Sequence, residues 1–198
     1  MCNRGAIKRM NTMKCFNKIE KELPVLWLTG LPCAGKTTLA KNLKQELERR
    51  GLNVFHLDGD DLRQKLNADL GFSHQDRKEN LRRAAHVSNL FKENGHFVIA
   101  SFISPQEELR QMLKEIVRDL MLVYVKCSPA ICRARDVKGM YAQAQKGKIA
   151  KFTGVSAQFE EPLSADVVVD TECNSIEECV EQLLSELEVL CCKRTSIK

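Results

Sequence analysis

No run of about 18 apolar residues occurs in the chain, which removes a membrane-spanning helix from consideration. A secretory h-region is equally absent, so the nine cysteines read as reduced thiols of a cytoplasmic protein, not as a disulfide framework. They show no paired C-x-x-C spacing with nearby histidines, and no zinc site is expected. Internal repeats and low-complexity stretches are missing too. At 198 residues the chain fits one ordinary domain with a substantial core.

Basic charge is scarce where nucleic-acid binding would need it. Residues 1–22 carry six Lys or Arg against two Glu, and residues 191–198 carry three more cations. Of the formal net charge of +5, the body between these ends keeps −2. The basicity belongs to two tails and not to a groove, so neither nucleic acid nor a membrane surface is an expected partner. The first 22 residues have no acid before Glu20 and no clear periodicity, and read as a flexible tail. Organelle targeting is the alternative, although the Ser and Arg enrichment of transit peptides is lacking.

What the chain does contain is an apolar run, Leu26-Trp27-Leu28-Thr29, that leads into Gly30-Leu31-Pro32-Cys33-Ala34-Gly35-Lys36-Thr37-Thr38. The pattern Gly-x-x-x-x-Gly-Lys-Thr between a strand and a helix is a phosphate-binding P-loop. Gly30 and Gly35 permit backbone angles that let successive N–H groups turn inward around a phosphate. The following helix adds its positive end, so Gly30, Ala34, Gly35, Lys36, Thr37 and Thr38 form the expected nucleotide site. Lys36 would reach the β and γ phosphates of ATP, and the Thr37 hydroxyl would ligate Mg²⁺. Cys33, beside Lys36 and a helix N-terminus, is either a thiol of lowered pKa or a small, tolerated side chain.

Leu39, Leu43 and Leu47 recur every four residues and predict a helix closed by Gly51. Val54 to Leu57 predicts a strand ending in Asp58-Gly59-Asp60-Asp61, acids at the end of an α/β strand that faces a ligand crevice. Leu81, Ala84, Ala85, Ser88 and Phe91 trace a helix between Asp76 and Asn94. Phe97 to Ala100 and Leu122 to Val125 are apolar strands, with a helix opened by Ser104-Pro105 between them. Ser128 and Pro129 supply an N-cap and an N1 proline. Val167 to Val169 is the fifth strand, and Ser175-Ile176-Glu177-Glu178 a capping box for the last helix. The stretch from Arg133 to about Gly154, basic and poor in apolar positions, reads as a lid over anionic ligands or as an ordinary solvated loop. The expected fold is a doubly wound five-stranded parallel α/β sheet in one domain over residues 23–190, with a basic tail at 191–198.

A P-loop alone serves motors, GTPases and small-molecule kinases. Base-reading motifs of the Asn-Lys-x-Asp type are absent, and the size suits a kinase core with a lid. Further stretches narrow the choice: Asp58-Gly59-Asp60-Asp61-Leu62-Arg63, Leu70 to Ser73 with Asp76 to Arg83, Ser101-Phe102-Ile103-Ser104-Pro105, Arg135 to Tyr141, and Phe152-Thr153-Gly154. Together with the P-loop they resemble the adenylylsulfate kinase (APS kinase) family over about Trp27 to Leu187.

The resemblance implies transfer of the ATP γ-phosphoryl to the 3′-hydroxyl of adenosine 5′-phosphosulfate (APS), giving PAPS and ADP. It implies strand order 2-3-1-4-5, a homodimer, and functional coupling to an ATP sulfurylase. Lys36 would be catalytic, with Asp60 accepting or orienting the attacking proton and Asp58 competing for that role. Arg63, Arg77 and Asn80 would bind the phosphosulfate, with Ile103, Ser104, Lys138, Lys151 and Phe152 around the nucleotide. Phe72 and Phe159 would sandwich the adenine. Departures from the family pattern include Asp61, His86, Gln106, Arg133, Gln143, Gln145 and Phe159. A P-loop kinase of another small hydroxyl compound, or a catalytically impaired nucleotide-binding regulator, stands as the alternative.

Overall fold

A computed structural model of the chain describes residues 23–147 and 152–195. The expected tail at residues 1–22, Lys151 and residues 196–198 lie outside them. Five strands, β1 (Val25–Thr29), β2 (Val54–Asp58), β3 (Phe97–Ser101), β4 (Leu120–Lys126) and β5 (Val167–Asp170), form one parallel sheet in the order β2-β3-β1-β4-β5. Seven helices cover its faces among the described residues: α1 (Lys36–Arg49), α2 (Gly59–Gln64), α3 (His74–Glu93), α4 (Glu107–Ile116), α5 (Pro129–Arg135), α6 (Met140–Gln145) and α7 (Ile176–Thr195).

Alternation along β1 divides the core. Leu26 and Leu28 pack with Leu39, Leu43 and Leu47 of α1 and with Val180, Leu183 and Leu187 of α7. Val25 and Trp27 point the other way, into Leu81, Ala84 and Ala85 of α3 and Leu109 and Leu113 of α4. A central parallel strand covered on both faces is apolar along most of its length, and all five residues of β1 are buried, with Thr29 satisfied by donating to the Ile103 carbonyl. Each fully buried leucine of the α1 stripe contributes about 2 kcal/mol of burial free energy.

The end signals work locally. Gly51, at φ +88°, follows α1, and the Leu52 amide closes back on the Leu47 carbonyl (3.1 Å). Ser175 accepts from the Glu178 amide (3.2 Å) while Glu178 accepts from the Ser175 amide (2.8 Å), the expected capping box. Helix α3 starts two residues before the expected Asp76, because Ser73 and Asp76 form a second capping box.

Four segments depart from the sequence reading. The helix expected to open at Ser104-Pro105 begins at Glu107 after Gln106, because Ser104 sits at φ +43°, outside helical geometry. The acidic cluster after β2 is helical: Asp58 caps α2 by accepting from the Asp60 amide (2.9 Å), and Asp60 and Asp61 lie at its positive end. The basic stretch contains α6, where Asp136 receives the Tyr141 and Ala142 amides (3.0 Å each) and Tyr141 is buried. Residues 191–195 continue α7 instead of beginning a tail, since Cys191 packs into the core.

Gly30 is where the sheet constrains the P-loop most tightly. At φ +153° it passes so close to β4 that an added Cβ would lie 2.5 Å from the Val125 carbonyl oxygen. Gly95, also at positive φ (+81°), has open space around it. Gly30→Ala is therefore expected to cost about 2 kcal/mol or more, and Gly95→Ala about 1 kcal/mol, from backbone strain alone. Denaturant unfolding of the two variants checks the order; equal losses would remove the steric account.

Candidate active site

The carboxyl ends of β1, β2 and β3 open into a cleft of about 750 Å³. Pro32, Cys33 and Gly35 to Thr38 line one part of it. Arg63, Phe72, Arg77, Asn80, Ile103 and Ser104 line another, with Lys138 and Phe152 contributed by the segments above. Ligand crevices of open α/β sheets lie at this end.

Lys36 is the most constrained group. It is buried, and its Nζ donates to the carbonyls of Gly30 (2.9 Å) and Leu31 (2.7 Å), the backbone of the loop it belongs to. Loss of solvation lowers its pKa to about 8, against the pull of nearby acids, Asp60 and Asp58 among them. Gly30 and Ala34 shape the loop from behind and do not line the cleft. The Ala34 carbonyl accepts from Thr171 Oγ1 (2.8 Å), and Arg135 holds Thr171 through its carbonyl (2.6 Å) and hydroxyl (3.2 Å). Cys33 is partly buried, at φ +63°.

Thr37 Oγ1 donates to Asp58 Oδ2 (2.8 Å), so the threonine hydrogen points away from the phosphate side. Burial would raise the Asp58 pKa, but hydrogen bonds from Thr37, the Asp60 amide and Ser101 outweigh it and keep the carboxyl below the ordinary range. Asp60 bonds Lys138 Nζ (2.5 Å), both side chains being well exposed at the cleft mouth. That contact raises the Lys138 pKa. No cluster of three metal-ligating His, Cys, Asp or Glu exists among the described residues. A Mg²⁺ held chiefly by phosphates and water needs none, and the hard oxygens of Thr37 and Asp58 suit that ion.

Cations and aromatic carbon dominate the opposite part. The Arg63 guanidinium lies 4.5 Å from the Phe72 ring centre and Arg77 5.9 Å from it. Arg63 also donates to the Gly71 carbonyl (2.9 Å), and Arg77 to Thr153 Oγ1 (3.0 Å). Burial, and then the charge of Arg63, push the Arg77 pKa down, a repulsion that an anionic ligand would relieve. Asn80 is buried, its carbonyl oxygen fixed by Asn67 Nδ2 (2.9 Å).

Ser104 is almost wholly buried at φ +43°, with its Oγ accepting from Trp27 Nε1 (3.0 Å) and its carbonyl from Arg110 (2.8 Å). Thr29 Oγ1 donates to the neighbouring Ile103 carbonyl (2.7 Å), which ties this loop to β1 just ahead of the P-loop. A serine so engaged lines a site and is not presented as a nucleophile.

Phe159 is not in the cleft. It stacks near Tyr124 (ring centres 6.1 Å apart) and lines a separate hollow. The segment around it is held by the Glu160 amide on the Pro105 carbonyl (2.8 Å) and Glu160 Oε2 on the Glu107 amide (2.8 Å). Phe102, stacked on Trp27, and Phe152, braced edge-on by Tyr141, share the cleft with Phe72. Arg135, Thr171 and Ser101 line the cleft without having been singled out as site residues. Ser101 and Arg135 stand in the stretches that carry the family resemblance, whereas only its place just after the last strand flags Thr171.

The lowered pKa of Lys36 has a definite sign. The free protein releases this proton near pH 8, whereas an unfolded lysine keeps it to 10.5, so stability gains from this group as pH rises between those values. Phosphates at the loop favour the charged form. Nucleotide binding is therefore expected to take up about one proton near pH 9 and almost none near pH 6.5. Calorimetry in buffers of different ionisation heat reads this directly, and uptake that does not change with pH would contradict it.

The family model for adenylylsulphate kinase matches residues 23–170. The adenylyl-sulfate kinase of Paraburkholderia xenovorans is 49% identical over 164 residues, covering 82% of this chain and 92% of the relative. The probable adenylyl-sulfate kinase of Bacillus subtilis is 46% identical over 162 residues, covering 81% of this chain and 82% of the relative. Among solved structures, the Mycobacterium tuberculosis APS kinase CysC in complex with AMPPNP and APS superposes with a TM-score of 0.82 at 37% identity, covering 84% of this chain and 98% of that one. A Sinorhizobium meliloti gluconokinase, at 16% identity and a TM-score of 0.59, shares the fold alone. The chain belongs to the adenylylsulfate kinase family.

Proposed function

We propose that the chain transfers the γ-phosphoryl group of ATP to the 3′-hydroxyl of APS, forming PAPS and ADP. The observation that carries this reading is one cleft holding both a P-loop and a second cationic, aromatic end built from Arg63, Arg77, Phe72 and Phe152. A neutral acceptor would not need those guanidiniums, whereas the phosphosulfate of APS carries anionic oxygens on linked phosphorus and sulfur tetrahedra, which their forks can bind in pairs. Phe72 and Phe152 offer faces for its adenine.

Phosphoryl transfer depends on alignment and on neutralising charge, not on covalent chemistry by the protein. Phosphates entering the loop add anionic charge directly beside Lys36, and the lysine exchanges loop carbonyls for phosphate oxygens. Thr37, with Asp58 behind it, would hold Mg²⁺, which supplies positive charge at the β and γ phosphates. Asp60 orients or accepts the proton of the attacking hydroxyl once Lys138 turns from the carboxylate to the incoming anions. Asp58, already receiving three hydrogen bonds, is the poorer base and the better anchor. Homodimeric assembly, a cytoplasmic location and coupling to an ATP sulfurylase are proposed on the family resemblance alone.

ATP consumption is expected to depend on APS and not on gluconate, shikimate or chloramphenicol; equal turnover of any of these would overturn the assignment. Asp60→Asn should lower kcat by about 100-fold or more while ATP binding survives. Phe152→Leu should raise the KM for APS by about 10-fold and Phe159→Leu by less than about 2-fold. Steady-state kinetics check all three, and the reverse order for the phenylalanines would return Phe159 to the site.

A further inference from the structure

His56 belongs to no part of the site described so far, yet it stands directly behind it. It lies on β2 two residues before Asp58, so both side chains leave the strand on one face. In the parallel register, Asp58 pairs with Ser101 of β3. His56 Nε2 is 2.8 Å from Ser101 Oγ, and Ser101 Oγ donates to Asp58 Oδ2 at 2.9 Å. The same Oδ2 accepts from Thr37 Oγ1 at 2.8 Å. The imidazole itself is 3.9 Å from that oxygen and does not line the cleft.

Donor counting fixes the direction of this chain. An ionised carboxylate only accepts, so the single Ser101 hydrogen goes to Asp58. The Ser101 oxygen must then accept from His56, which places the imidazole hydrogen on Nε2. We propose that His56 is a positioning residue for the phosphate end of the site: its Nε2–H orients the Ser101 hydroxyl so that Ser101 and Thr37 together lock Asp58 Oδ2. The lone pairs of Thr37 Oγ1 are thereby kept toward the cleft. Without the histidine, Ser101 is free to turn toward other acceptors, and Asp58 loses one of the donors that hold it against Thr37. Burial also lowers the His56 pKa, which favours the neutral ring with one hydrogen. Lys41 and Lys44 of α1 and Asp61 of α2 are other charges acting on it.

This inference rests on the reading of Thr37 as the Mg²⁺ contact of a kinase, and its test does not require turnover. In the full chain, calorimetry of ADP binding with and without Mg²⁺ should show the Mg²⁺-linked gain in affinity reduced about 3- to 10-fold in His56→Leu. His56→Gln, whose amide reaches the same place, should restore it, and His56→Asn, too short, should not. Nitrogen-15 NMR of the wild-type imidazole should report the Nε2–H tautomer in the metal-free protein. In kinetics, the loss should appear in kcat and in the Mg²⁺ requirement, with the KM for APS unchanged. An undiminished Mg²⁺ linkage in His56→Leu, an Nδ1–H tautomer, or a glutamine variant no better than the leucine would overturn the proposal. If the leucine variant does not fold, the glutamine and asparagine pair decides by the same comparison. Absence of PAPS formation by the wild type would count against the reaction instead, since the ADP and tautomer measurements are independent of it.

Discussion

A buried positive charge held by backbone carbonyls sets the character of this protein. Lys36 is held inside its own loop by the carbonyls of Gly30 and Leu31, and those carbonyls replace its hydration only in part. A buried ammonium bonded to carbonyl dipoles, with its acids at a distance, is costly, and here desolvation brings its pKa down to about 8. Phosphate oxygens bound at the loop would give this charge a direct partner. The sheet fixes the loop, since β1 delivers Gly30 against the Val125 carbonyl, where no side chain fits. Thr171 fixes the far side of the loop through the Ala34 carbonyl. Strand register, glycine and lysine are one constraint seen from three positions.

The acceptor end is attached to the same scaffold by few but specific contacts. Thr29, the last residue of β1, donates to the Ile103 carbonyl, and Trp27 on the same strand donates to Ser104. Donor and acceptor loops therefore take their positions from one strand, which suits a reaction governed by alignment. The fully buried Arg110 holds the Ser104 carbonyl and pairs with Glu107 (2.7 Å). Tyr141 donates to the Pro32 carbonyl, so the segment carrying Lys138 is also fastened to the P-loop.

Much of this was legible in the sequence because the signals are local. The P-loop spacing, the four-residue leucine period of α1, the Ser128-Pro129 start and the Ser175–Glu178 box each name a structure formed by neighbours in the chain. What escaped depends on distant packing. Phe152 and Phe159 are both aromatics in one polar stretch, and only the tether of Glu160 to Pro105 and Glu107 shows that Phe159 is drawn out of the cleft. His56 looks like one more residue of a short strand until the β2–β3 register sets it beside Ser101. The helix at Gly59–Gln64 was hidden because Asp and Gly favour turns and helix starts alike.

Direct transfer between two nucleotides held in one cleft is the reaction that the geometry supports. Phosphorus-31 NMR of ATP, Mg²⁺ and APS mixed with the protein tests it most directly. The γ-phosphate signal of ATP should be replaced, mole for mole, by a 3′-phosphomonoester on APS with its phosphosulfate intact. Release of inorganic phosphate with APS unchanged would contradict it.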